Sequence, residues 1–194
     1  MKFRAAIVLM SAMLLAACGL NSVPTAEEAA KAKWAEVQNQ YQRRADLIPN
    51  LVATVRGAGA QEKAILTEVT QARASASQIQ VSPEDLTDPA KMSAYQRAQA
   101  GITLNLQRLQ EAYPELRSQG NYATLMSQLE GTENRIAIAR RDYNDSVQAY
   151  NTRIRTFPDA VGAKIFYGAK PMVPFQATTP GAEEAPTVDF GNAS

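Results

Sequence analysis

WAEVQNQYQRRADLIPNLVATVRG, residues 34–57, carries apolar side chains at Trp34, Val37, Tyr41, Ala45, Ile48, Val52 and Val55. Steps of three and four residues put all of them on one face of a helix, which is the pattern of a buried amphipathic stripe. The register continues through Ala58, Glu62, Ile65, Val69, Ala72 and Ala76, with Glu62 its charged member. Two features oppose a single rod. Pro49 lacks a backbone donor, and Gly57 and Gly59 are poor helix formers. Residues 26–79 are therefore expected to be helical, with a kink near Pro49 or a break near Gly57–Gly59.

Working outward, Thr25 and Glu28 have the spacing of a capping box that opens this helix. On the other side, QVSPEDLTDP (80–89) has the prolines and acids of a loop. A second stripe follows at Met92, Tyr95, Gln99, Ile102, Leu106, Leu109, Tyr113 and Leu116, with a bend at Pro114 and a turn over 118–121. A third runs Tyr122, Leu125, Leu129, Glu133, Ile136, Arg140, Tyr143, Val147, Tyr150, Ile154 and Phe157. Pro158 stops it, because the residue before a proline is pushed out of the helical region. The segment 159–168 is a short apolar addition suited to capping one end, and the acidic, proline-containing 176–194 is expected to be disordered. The fold class is all-α: an antiparallel up-and-down helical bundle of three long helical segments, the first kinked or broken.

Composition narrows the chemistry. The 194 residues include no His and one Cys, which removes Ser-His-Asp and Cys-His catalysis and His-ligated zinc. A formal charge of +1 gives no basic field for nucleic acid, and Arg43-Arg44 and Arg140-Arg141 are too few to supply one. At the N-terminus, Lys2 and Arg4 precede the apolar run Ala5–Ala17, which is shorter than the ~20 residues a spanning helix needs but suits a secretory signal. The run ends in Leu15-Ala16-Ala17-Cys18-Gly19, which resembles a bacterial lipobox. Cys18 is then the lipidated first residue of the mature chain. The organisation expected is a signal peptide at 1–17, a lipidated N-terminus and linker at 18–25, a bundle at 26–175 and a tail at 176–194. The membrane is reached through the lipid on Cys18, facing the periplasm. Gly19 after the cysteine favours the outer membrane where a cell has two.

The segments 34–57, 62–73 (EKAILTEVTQAR), 109–116 (LQEAYPEL) and 129–158 (LEGTENRIAIARRDYNDSVQAYNTRIRTFP) resemble the LemA family. QRRADLIPNLV, TEN-x-I-x-x-AR-x-x-YN and the closing TFP stand in the family's order. The resemblance implies a membrane-anchored bacterial protein with a bromodomain-like four-helix arrangement and no established catalysis. The chain departs from that pattern in its lipobox, which replaces a transmembrane helix. It also has Gly57-Ala58-Gly59 and Gln61-Glu62 where relatives often have Gly-Tyr-Ala and His-Glu, and its loop around 80–90 looks peculiar to it.

Glu133 and Arg140 interrupt an apolar stripe, and Arg43, Arg44, Asp46 and Asn50 surround Pro49. A charge in a packed interface must be paired. Glu133 is therefore expected to accept a bidentate bond from Arg43 or Arg44, setting helix register within a structural polar cluster. Asn50, Asn134 and Asn144 are expected to hydrogen-bond across the bundle near Pro49's missing donor. Tyr41, Tyr113, Tyr143 and Tyr150 have core spacing with hydroxyls near the rim. No catalytic residue, metal ligand or cofactor is expected beyond the covalent lipid. Function is then that of a non-enzymatic scaffold or adaptor at the envelope, holding a protein partner that the sequence does not name. The alternatives are a small-molecule or carboxylate-ligated metal-binding bundle, and an envelope hydrolase using Glu130 and Glu133, which lie three apart on one helix face.

Overall fold

The computed structural model describes residues 21–59 and 63–176. Four long helices follow in order: α1 Ser22–Gly57, α2 Lys63–Gln78, α3 Pro89–Ala112 and α4 Gly120–Arg153. Short 3-10 turns at Pro83–Thr87 and Pro114–Ser118 join α2 to α3 and α3 to α4. A four-residue helix α5, Asp159–Gly162, runs into a π turn, Ala163–Tyr167; Gly168 is left-handed at φ +54°, and residues 169–176 carry no regular secondary structure. The described residues contain no strand.

The first stripe is broken at the glycines and continuous at the proline. Gly59 adopts φ +85°, a left-handed conformation that costs other residues energy and ends α1 cleanly. Pro49 sits on the exposed side of α1, and its missing N–H should leave the carbonyl of Ala45 unpaired. That carbonyl accepts a bond from Arg73 Nε on α2, at 2.8 Å. Asn50, expected to work near this gap, is solvent-exposed; only its backbone carbonyl is engaged, accepting from the Thr54 hydroxyl. An arginine from the next helix has the length to reach a carbonyl that an adjacent asparagine on the outer face cannot.

Residue pairs across the interfaces fix the helix directions. Lys33 meets Asp142 at 3.2 Å and Arg44 meets Glu133 at 2.8 Å, so α1 and α4 are antiparallel. Arg73 reaches Ala45, Ala76 and Ser77 lie beside Tyr41 and Gln42, and Val55 shares a cluster with Leu66, so α1 and α2 are antiparallel. Trp34 packs on Tyr95 with ring centres 5.3 Å apart, while Arg44 reaches Gln99, so α1 and α3 run parallel.

Two hydrophobic clusters stack along this frame. One joins Trp34, Val37 and Tyr41 to Tyr95, Tyr143, Val147, Tyr150 and, from the extended C-terminal segment, Met172 and Phe175. The other joins Ile48, Leu51, Val52 and Val55 to Leu66, Val69, Ile102, Leu109, Met126 and Leu129. Because α2 is short, it covers only the second cluster. The first is roofed by the 79–86 connection and the extended segment, and Trp34 Nε1 donates to Val81 O there at 3.1 Å.

Four expectations are corrected. Helix α1 begins at Ser22 rather than 26, because Pro24 falls in the first turn, where no backbone donor is needed, and Val23 is buried. Thr25 therefore lies inside the helix, its hydroxyl donating to Asn21 O at 2.7 Å, and forms no capping box. Phe157, the last member of the third stripe, is 86 % exposed, because α4 ends at Arg153 and the chain turns away. Ala58, on the first stripe, is exposed beyond the end of α1, and Glu62 lies outside the described residues.

Candidate functional site

Between the two clusters lies a polar layer centred on Arg44, which is 1 % exposed. Its Nη1 donates to Glu133 Oε1 on α4 at 2.8 Å and to Thr103 Oγ1 on α3 at 2.9 Å. Its Nη2 donates to Gln99 Oε1 at 2.6 Å and to the Gln99 carbonyl at 3.1 Å. The guanidinium carbon stands 5.0 Å from the Tyr41 ring centre, a cation–π contact. One planar fork thus ties three helices together at a single level, a task for which a lysine's point charge lacks the geometry.

The expected polar cluster divides. Arg44, not Arg43, holds Glu133, and through one guanidinium nitrogen rather than two, because the other is turned to Gln99. Arg43, one residue earlier on the helix, is exposed. Asp46 is also exposed and accepts from Gln42 Nε2 at 2.7 Å on its own helix. Arg140 is not part of the layer: its Nη2 donates to Gln176 O at 3.0 Å and its guanidinium covers the Phe175 ring at 4.7 Å. Glu133 and Arg140 nevertheless share the wall of an open cleft of about 610 Å³ between α3 and α4, with Arg44 and Tyr41 behind them. Burial pushes the Tyr41 hydroxyl above its usual range, against the opposing pull of Arg140 and Arg44.

A second polar device holds the extended segment. Asn144 Nδ2 donates to Phe175 O at 3.0 Å while its Oδ1 accepts from Phe175 N at 2.8 Å. Asn151, two turns on, does the same to Met172, with both bonds at 2.9 Å. Each side-chain amide thereby replaces a neighbouring strand for one residue of extended backbone, satisfying groups that would otherwise be buried unpaired. Tyr143 donates its hydroxyl to Val173 O at 3.0 Å. Of the three asparagines expected to bridge elements, Asn144 does so, while Asn50 and Asn134 are exposed.

Gln99, Thr103, Arg73 and Asn151 are the functional positions that the sequence reading passed over. Gln99 was legible as the polar member of the second stripe. Asn151 had a signal too, since Tyr143-Asn144 and Tyr150-Asn151 repeat at seven residues, the spacing that returns to one helix face. Thr103 and Arg73 had none.

The carboxylates set on one face do not converge. Glu133 opens to the cleft beside Arg44, whereas Glu130 is exposed and borders a separate recess with Tyr122 and Arg117. Among the described residues no group of three or more Asp, Glu or Cys side chains is placed to hold a metal ion, and no helix is long and apolar enough to cross a membrane. Cys18 and the lipobox, and the tail from 177 onward, lie outside the described residues.

Fold and site together define an all-α protein whose buried polar residues join helices to one another. The family model described as LemA family matches residues 33–190, and the chain belongs to that family. No curated protein matches the sequence.

Proposed function

We propose that this LemA family protein is a lipid-anchored, non-enzymatic scaffold or adaptor at the bacterial envelope, tethered through an acylated Cys18 and presenting its helical faces to a protein partner. The observation that carries this reading is the engagement of Arg44, the buried charge of the bundle, by Thr103, Gln99 and Glu133. Its charged atoms serve helix register, and Glu130 and Glu133, three apart on α4, open to different recesses. The combination suits a rigid body that positions surfaces. A signal ending in Leu15-Ala16-Ala17-Cys18 supports the anchor, with the outer membrane as its site in a cell that has two.

Crosslinking in intact cells, followed by pull-down and mass spectrometry, tests it by comparing the native chain with Cys18→Ala. A discrete partner set that disappears with the variant is expected. Identical empty results from both chains would count against the scaffold role and direct attention to the 610 Å³ cleft as a site for small ligands.

A further inference from the structure

Five of the seven exposed large hydrophobic side chains among the described residues fall within Phe157–Tyr167: Phe157, Val161, Ile165, Phe166 and Tyr167. Phe157 is 86 %, Ile165 69 % and Phe166 66 % exposed. The sequence suits this segment to capping one end of the bundle. Only Gly162 and Ala163 are buried, and the π turn over 163–167 directs the larger side chains outward. Contiguous exposed apolar surface of this kind marks a contact with something else.

Where the patch sits identifies the occupant. It lies at the end of the bundle where α1 begins: α5 touches α1, and Val23 shares a cluster with Tyr150 and Ala163. Glu27 and Lys31 of α1 border a recess together with Tyr167 and Lys170. With α1 starting at Ser22, only residues 19–21 separate it from Cys18, a reach of roughly 14 Å even fully extended. A lipid on Cys18 would hold this end of the bundle, and not its far end, against the membrane.

Charge agrees. From 153 to 170 the chain carries Arg153, Arg155, Lys164 and Lys170, all exposed, against one acid, Asp159, which Arg153 pairs at 3.6 Å. Of the nearest acids outside this stretch, Glu27 and Glu28 are both bonded by Lys31, and Glu84 borders the recess beside Tyr167 and Lys170. Aromatic and aliphatic side chains flanked by Arg155, Lys164 and Lys170 suit the interface of an anionic bilayer.

We propose that Phe157, Val161, Ile165, Phe166 and Tyr167 insert into the bilayer interface beside the anchor, forming a second membrane contact that stands α1 and α4 up from the surface. This rests on the lipid-anchor reading, since the short tether is what aims the patch.

The test attaches an environment-sensitive fluorophore to Phe166→Cys, and to Gln119→Cys at the far end of α4 as control. Each chain is purified from membranes and reconstituted in phosphatidylethanolamine–phosphatidylglycerol vesicles containing a nitroxide phospholipid. Acylation consumes the Cys18 thiol, so labelling stoichiometry reads the anchor separately from the patch. One label per chain, with blue-shifted and nitroxide-quenched emission at 166 and aqueous emission at 119, is expected. One label with aqueous emission at 166 overturns the insertion while leaving the anchor intact. Two labels per chain overturn the anchor, and the patch is then judged alone in the Cys18→Ser, Phe166→Cys chain expressed from residue 18 onward. That chain is expected to bind the same vesicles in a salt-sensitive way, about tenfold more weakly once Phe157→Ser and Ile165→Ser are added. No blue shift there overturns the proposal. So does a shift that grows with protein concentration without vesicles, which would assign the patch to a second copy of the chain.

Discussion

Pro49 and Arg73 should behave as one thermodynamic unit. Proline at position 49 withholds the N–H that Ala45 O would accept in an unbroken helix, and Arg73 Nε supplies a donor from α2 at 2.8 Å. A hydrogen bond from a charged group contributes about 1.5–3 kcal/mol, and a carbonyl left unpaired in a partly buried place costs about as much. Arg73→Met, which keeps much of the side chain's length, should therefore lose about 2 kcal/mol. For a chain of this size that is a fall of roughly 4–8 °C in melting temperature. With Pro49→Ala in place, residue 49 regains its N–H and closes the normal bond to Ala45. Arg73→Met should then cost no more than about 0.5 kcal/mol, leaving a coupling energy near 1.5 kcal/mol in the double-mutant cycle. Urea unfolding of the four chains, followed by far-ultraviolet circular dichroism, measures it. An equal loss from Arg73→Met in both backgrounds would falsify the pairing and leave Arg73 as an ordinary packing residue.

Four further outcomes are expected. Glu133→Gln should cost about 2 kcal/mol, between a fully buried and an exposed ion pair, because Arg44 is buried and Glu133 is 35 % exposed; Arg43→Ala should be nearly silent, and equal effects in thermal melts would contradict the assignment. Asn144→Ala or Asn151→Ala should each remove about 2 kcal/mol of local protection, read as faster hydrogen exchange at Met172–Phe175, and unchanged exchange there would refute the clamp. Gly59→Ala should destabilise by about 1–2 kcal/mol for its left-handed backbone, whereas Gly57→Ala, with open space around a new Cβ, should be neutral or slightly stabilising; the reverse order in melting temperature would misplace the helix break. Burial raises the hydroxyls of Tyr41, Tyr95 and Tyr143 above the usual value near 10. The folded chain then keeps protons that the unfolded chain releases, so stability present below pH 10 is lost as pH climbs beyond it, at up to about 1.4 kcal/mol per pH unit for each tyrosine. A urea midpoint that is flat from pH 9 to about 11.5 would show these hydroxyls ionising freely.

The apolar spacing alone was enough for the helices, because a face that must be buried has to recur at the helical period whatever it packs against. Every member of the second stripe, from Met92 to Leu116, is buried, including Gln99, whose role in the Arg44 layer only the structure shows. Glu133 was likewise legible as a charge in need of a partner. Which of Arg43 and Arg44 would serve it was not, since adjacent helical residues point about 100° apart and the choice depends on how α1 is rotated against α4.

The sequence by itself thus determined the all-α class, the helices, an interruption of the first stripe at either Pro49 or Gly57–Gly59, the family resemblance and the need of Glu133 for a partner. These are local or periodic properties, carried by residues within a few turns of one another. Tertiary structure decided that Arg73 completes the backbone bond Pro49 cannot make, that Asn144 and Asn151 hold the extended segment, and that residues 157–167 turn their apolar side chains out beside the start of α1. Each joins positions more than 20 residues apart, where no spacing rule reaches and only the packing of one helix on another brings donor to acceptor.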